Sequence, residues 1–212
     1  MSHLSHRSQL LHLALEQGGY VTSSELTSAG IPRVELSRAT RAGQLVRLAR
    51  GTYRLAEIDG LPPVAAEATD LLEVQLRSPY ARPCLISALH LHGLTTTRPH
   101  RLQFALPRNR HALDFEGLPL EFFYFSDLAY HEGTLAFPVR ERWLTTYTVE
   151  KTLVDLLRAA PRLGRELYLE GLKNALQYRK LDRRELFRLA RLLRVGKTLE
   201  HDLEVLEHDQ DH

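Results

Sequence analysis

Over its first quarter the chain sets apolar residues at helical spacing, then at strand spacing, in a definite order. Leu10, Leu11, Leu13, Ala14 and Leu15 form a helical stripe over Ser5 to Gln17, closed by Gly18-Gly19. Tyr20-Val21 is a short extended piece. Thr22 or Ser23 then caps a second helix, with Glu25 near its first turn and Gly30 at its end. Ile31-Pro32 opens a third helix, with Pro32 at the first helical position, where a missing N–H costs nothing, and Gly43 ends it. Gln44 to Leu48 and Thr52 to Leu55 are strand-like, joined through Ala49-Arg50-Gly51, a hairpin turn with glycine where positive φ is needed. Helix, short strand, helix, turn, helix, hairpin is the order of a winged helix-turn-helix, in which the third helix reads DNA and the hairpin is the wing.

The third helix carries the sharpest chemical signal. Leu36, Ala39, Thr40 and Gly43 fall on one side, and Val34, Ser37, Arg38 and Arg41 on the other. Arginines, a hydroxyl and one small apolar group suit a DNA major groove, where guanidinium meets phosphate or guanine and an apolar group meets a thymine methyl. Arg38 and Arg41 are the expected base or near-base contacts, Ser37 a phosphate contact and Val34 a methyl contact. Arg33 at the helix start reaches the backbone. Ser23 and Ser24 offer hydroxyls and free N–H groups to a phosphate, and Arg47, Arg50 and Thr52 of the hairpin track adjacent phosphates or the minor groove.

Beyond a polar, turn-rich break at Asp59-Gly60-Leu61-Pro62-Pro63, the pattern changes. Pro62 to Leu76 reads as a helix, and Cys84 to Leu91 as a short, mostly buried one stopped by Gly93. Leu102 to Leu106, Leu118 to Phe125, and Leu135 to Val139 with Trp143-Leu144 read as strands. Thr148 caps a helix to Ala160, Pro161-Arg162 opens another to about Gln177, Asp182 caps one to Arg194, and Gly196-Lys197 precedes a final acidic helix. The expected class is α+β: a winged helix-turn-helix over residues 4–56, then a mixed α+β domain with a helical C-terminus over residues 63–207.

Composition adds the sign of the partners. The chain has 212 residues and a net charge of only +2, but the charge is segregated. Residues 1–55 carry seven arginines against three glutamates, residues 158–197 twelve basic against four acidic side chains, and residues 198–212 six acids with no Lys or Arg. Two basic regions around an acidic middle suit contact with phosphate. Apolar runs are too short to cross a bilayer and no signal-peptide pattern opens the chain, so a cytoplasmic protein without a membrane partner is expected. A single cysteine, Cys84, leaves no intramolecular disulfide or Cys-based zinc site and fits a reducing compartment.

The run from Gly30 to Tyr53 resembles the N-terminal domain of AbiEi-type antitoxins, two-domain regulators of bacterial abortive-infection and toxin–antitoxin systems. Gly43, Leu45, Arg47, Arg50, Gly51 and Tyr53 match that family's G-x-L-x-R-x-x-R-G-x-Y. Ser87-Ala88-Leu89-His90-Leu91-His92-Gly93-Leu94 is similar to its SAL-x-x-H/W-G-L segment, and Thr148 to Leu157 to its S/T-x-E-[KR]-T/A-L-x-D-L helix. The resemblance implies a non-enzymatic, autoregulating repressor that binds promoter repeats in double-stranded DNA. It also implies a functionally paired nucleotidyltransferase-type toxin, opposed without a stable complex. A stand-alone ligand-sensing transcription factor, and a nuclease or modification-system component targeted by a winged helix, are the alternatives.

Other chemistry is thinner. His90 and His92 stand about 200° apart on a helix and cannot share an ion, and Cys84 lies in an apolar stretch, so neither a metal nor a cofactor is expected. Asp127, Glu132, Glu150 and Lys151 have the composition of a Mg²⁺ nuclease site but only loose spacing. Arg184, Arg188 and Arg191 share a helix face, either as a second nucleic-acid surface or as a solvated face balanced by the acidic tail.

Overall fold

The computed structural model describes residues 5–57, 66–112 and 117–210. They divide into two compact units, Met1–Pro79 with Pro138–Leu144, and Tyr80–Phe137 with Thr145–His212. The expected break at Asp59 to Pro63 lies outside the described residues.

In the first unit, α1 (His6–Glu16), β1 (Tyr20–Thr22), α2 (Ser23–Ser28), α3 (Val34–Arg41), β2 (Leu45–Ala49) and β3 (Thr52–Leu55) follow the expected order. The three strands form an antiparallel sheet in the order β1-β3-β2. Burial fits the apolar stripes. Leu10 and Ala14 of α1, Leu26 of α2, Leu36 and Ala39 of α3, and Val21, Leu45 and Leu55 of the sheet close one small core. Leu15, counted in the α1 stripe, is instead exposed. Pro32 precedes α3 and does not start it: the amides of Glu35 and Leu36 bond the carbonyls of Pro32 and Arg33, tight i→i−3 turns that span Val34. At the other end Gly43 has φ +70°, which lets the Gln44 amide reach back to the Ala39 carbonyl (3.0 Å) and turns the chain into β2.

Two further pieces complete this unit. The helix α4 (Ala66–Arg77), assigned from the sequence to the second domain, lies in the first unit. Its Glu73 accepts a hydrogen bond from the Tyr20 hydroxyl (3.1 Å) and pairs with Arg54 at 3.0 Å. The segment Pro138–Leu144 is the other. It contributes Arg140, which donates to the Gly18 carbonyl at 3.5 Å, and Arg142.

The second unit contains β4 (Arg82–Pro83), α5 (Leu85–Leu91), β5 (Leu102–Pro107), β6 (Leu120–Phe125) and α6 (Asp127–His131). Strands β7 (Thr134–Val139) and β8 (Arg142–Tyr147) pair with each other and run across the division of units at Pro138 and Leu144. Helices α7 (Val149–Leu163), α8 (Glu166–Gln177), α9 (Arg183–Leu192) and α10 (Gly196–Gln210) end the chain. The sheet order is β4-β5-β6, with β5 antiparallel to β4 and parallel to β6. The architecture is α+β, as expected. Pro161 does not open a helix but sits in the last turn of α7, and the break falls at Gly164. A proline there removes one amide without ending the helix, because the following residues need only one more turn.

Helix α7 is the axis of this unit. Its first half, Glu150 to Leu157, is buried all round, so its polar residues must be satisfied internally. Lys151 forms an ion pair with Asp155 one turn on, and its ammonium lies 4.4 Å from the Tyr147 ring centre and 4.9 Å from that of Phe125. Burial lowers the affinity of Lys151 for its proton and raises that of Asp155, while each opposes the shift of the other. Glu150 accepts the Asp182 amide at 2.8 Å, which fixes the start of α9.

Candidate nucleic-acid interface

Three local structures meet at the candidate surface: the start of α2, the outer face of α3 and the β2–β3 hairpin. Thr22, not Ser23, caps α2. Its hydroxyl accepts the Glu25 amide (3.2 Å), and the Glu25 carboxylate accepts the Thr22 amide (2.7 Å), a reciprocal capping box. The Ser23 amide donates to the Gly51 carbonyl at 2.8 Å, which holds the start of α2 against the hairpin turn. Gly51 has φ +80°, and a Cβ there would come within 3.3 Å of the Ser23 hydroxyl. The Ser23 amide is therefore already committed, and Ser24, exposed and bonded through its hydroxyl to Thr22 (2.9 Å), is the open group at this helix start.

Helix α3 presents the face expected of it. Val34 is 51% exposed, Ser37, Arg38 and Arg41 are exposed, and Leu36 and Ala39 are buried on the opposite side. The buried Glu35 carboxylate accepts from one terminal nitrogen of Arg38 at 2.6 Å. It fixes one edge of the guanidinium and leaves the other nitrogens outward, on a side chain still 61% exposed. Arg33 is exposed beside α3 and donates through Nε to the Thr27 hydroxyl (3.3 Å). Glu35 was missed by sequence reasoning, although its i,i+3 spacing to Arg38 was a usable signal.

In the wing, Arg47 and Arg50 are exposed, and Arg47 donates to the Ala49 carbonyl at 3.3 Å. Thr52 is not available: it is only 7% exposed, because β3 is the central strand, flanked by β1 and β2.

Behind this surface Arg142 makes a four-bond clamp. Its terminal nitrogens donate to both oxygens of Glu25 (2.7 and 3.0 Å) and to the Tyr20 carbonyl (3.1 Å), and its Nε to the Gln17 carbonyl (3.1 Å). Burial raises the Glu25 carboxyl, but the bonds from Arg142 and Thr22 outweigh it and hold Glu25 below the usual carboxylate range. No local pattern could have paired residues 117 positions apart.

The other sequence candidates are dispersed. Asp127 is almost fully exposed, beside His131, and Glu132 pairs with Arg188 (2.7 Å). Glu150 accepts the amide of Asp182, the residue that caps α9, and Lys151 is sealed in the core, so the four do not converge on one ion. Among the described residues, no cluster of His, Cys, Asp and Glu has metal-site geometry. His92 is packed, with its Nε2 2.7 Å from the Tyr147 carbonyl, and Cys84 is fully buried. On α9, Arg188 is shared by Glu185 and Glu132, and Arg191 faces Glu200 at 3.5 Å, while Arg184 is exposed. Much of that basic face is thus balanced by carboxylates of the same unit. Among the described residues no helix is long and apolar enough to cross a membrane.

The fold is similar to the crystal structure of the RV2827C protein from Mycobacterium tuberculosis, at 18% sequence identity and a TM-score of 0.53, covering 90% of this chain and 73% of that one. No curated protein matches. Residues 8–56, which span α1 to the wing, match the model of the family of AbiEi antitoxin transcriptional regulators.

Proposed function

We propose that this chain is a sequence-specific DNA-binding transcriptional repressor, and the autoregulating antitoxin of a type IV toxin–antitoxin pair. The observation that carries the DNA half is the outer face of α3, where Val34, Ser37, Arg38 and Arg41 stand exposed together on a helix whose opposite side is core. With α3 in the major groove, Arg38 and Arg41 reach base edges or the nearest phosphates, and Val34 meets a thymine methyl. Arg33, Ser37, Ser24, Arg47 and Arg50 hold phosphates on either side, so the wing and the start of α2 fix the register of the reading helix. The match of residues 8–56 to AbiEi antitoxin regulators supports promoter repeats as the target.

The antitoxin half rests on the same match and on the family-like segments Ser87–Leu94 and Thr148–Leu157. It assigns the chain a nucleotidyltransferase-type toxin as functional partner, opposed without a stable complex, in the cytoplasm. A mobility-shift titration with the chain's own upstream promoter fragment tests the first half, and failure to discriminate that fragment from scrambled DNA refutes it. Co-expression with a neighbouring nucleotidyltransferase gene tests the second. Restored growth without co-purification is the expected result, and toxicity that this chain leaves unchanged refutes the pairing.

A further inference from the structure

The second unit holds a cavity of about 340 Å³ between β6 and the C-terminal half of α7. One wall is aromatic, from Phe123 and Phe125 of β6, and the other is cationic, from Arg158 and Arg162, one helical turn apart on α7, with Arg108 at the rim. Asp155, buried, also lines the cavity.

The guanidiniums are held from behind. Asp155, only 3% exposed, shares its carboxylate between Lys151 and Arg158, the latter at 3.3 Å. Arg162 is bonded by Glu121 at 2.7 Å and lies over the Phe123 ring at 4.9 Å. A carboxylate on one edge of a guanidinium fixes its plane and leaves another edge for a second anion. Arg108, Arg158, Arg162 and Lys151 against Asp155 and Glu121 leave the lining and its direct partners two charges positive. A phosphate monoester carries about −1.5 to −2 at neutral pH, which matches that surplus, and its oxygens suit planar donors. The aromatic wall would be wasted on a bare ion, but it suits a flat ring, and the volume falls in the range of small-molecule sites.

We propose that this cavity binds a small phosphate monoester with a flat apolar body, the class to which nucleoside 5′-monophosphates belong. The phosphate lies against Arg108, Arg158 and Arg162, and the ring against Phe123 and Phe125. The assignment involves only residues of the second unit and does not depend on the DNA reading.

Isothermal titration of the full chain with adenosine and uridine 5′-monophosphates tests it, with adenosine and inorganic phosphate as partial ligands. At least one monophosphate is expected to bind about tenfold or more tightly than either partial ligand. Arg108→Ala/Arg162→Ala is expected to weaken it by about tenfold or more, the size of one lost charge-assisted hydrogen bond. Both arginines are exposed, so the variant keeps its fold, checked by an unchanged melting curve. Absence of heat with both monophosphates at millimolar concentration overturns the proposal. So does equal affinity for adenosine or for inorganic phosphate, or undiminished binding by the folded variant.

Discussion

Arg142→Ala is expected to loosen the winged helix without touching the exposed face of α3. The substitution removes two hydrogen bonds to Glu25, at 2.7 and 3.0 Å, and one each to the carbonyls of Gln17 and Tyr20, both at 3.1 Å. The Arg142 side chain is 13% exposed and that of Glu25 30%. A hydrogen bond to a charged group contributes about 1.5–3 kcal/mol, and breaking a fully buried pair costs about 3–5 kcal/mol. Water reaches Glu25 once the arginine is gone and recovers part of that loss, so a net cost of about 2 kcal/mol is expected. With a urea dependence of about 2 kcal/mol per molar, the midpoint should fall by about 1 M. Far-UV circular dichroism reads that midpoint, and hydrogen exchange should show the amides of residues 17–26 losing protection first. Glu25→Gln keeps an acceptor for the Thr22 amide while removing the charge, so a double-mutant cycle isolates the ion pair, with a coupling of about 1 kcal/mol or more expected. A midpoint shift below about 0.25 M, the effect of an ordinary surface substitution, with unchanged exchange at 17–26, would refute the clamp.

Two further perturbations test the second unit. Lys151→Met leaves the buried Asp155 short of its main partner and should cost about 3 kcal/mol or more in chemical denaturation, whereas Lys151→Met/Asp155→Leu should recover most of that loss; equal stability of the two variants would contradict the buried-pair reading. His92 has its proton affinity lowered by burial, which outweighs its bond to the Tyr147 carbonyl and the nearby Glu150 charge, with Lys180 adding to the lowering. A histidine held neutral in the fold contributes stability above its ordinary pKa of about 6.5 that is lost as pH falls through the lower folded value. Melting temperatures between pH 7 and pH 5 should therefore fall more steeply for the wild type than for His92→Gln, and parallel slopes would rule the effect out.

The first unit was legible because its signals are local. Gly18-Gly19, Thr22 with Glu25, Gly43 and the Arg50-Gly51 turn each act within a few residues, and the opposite faces of α3 follow from one helical period. Where the reading slipped, the deciding contact was tertiary. Thr52 looks like a wing residue until the strand order places β3 in the middle of the sheet. Helix α4 looks like the start of a new domain until Glu73 meets Tyr20 and Arg54. Pro161 looks like a helix start because periodicity cannot distinguish a tolerated proline in a last turn from a break. The Arg142 clamp joins residues with no sequence pattern between them. Lys151 reads as part of a nuclease-like set only while Asp155 and the Tyr147 and Phe125 rings around it are out of view.

The central claim is that α3 reads DNA, and the most direct measurement is a mobility-shift titration of the upstream promoter fragment at 50 and 200 mM salt. Wild type is compared with Arg38→Ala/Arg41→Ala. With three phosphates neutralised per winged helix, by Arg33, Arg47 and Arg50, the wild type should lose about 40-fold in affinity between the two salts. Loss of two base-edge contacts should weaken specific binding by at least about 30-fold while binding to scrambled DNA changes far less. A double variant that binds the promoter as tightly as wild type, with the same salt slope, would contradict the assignment of α3 as the reading helix.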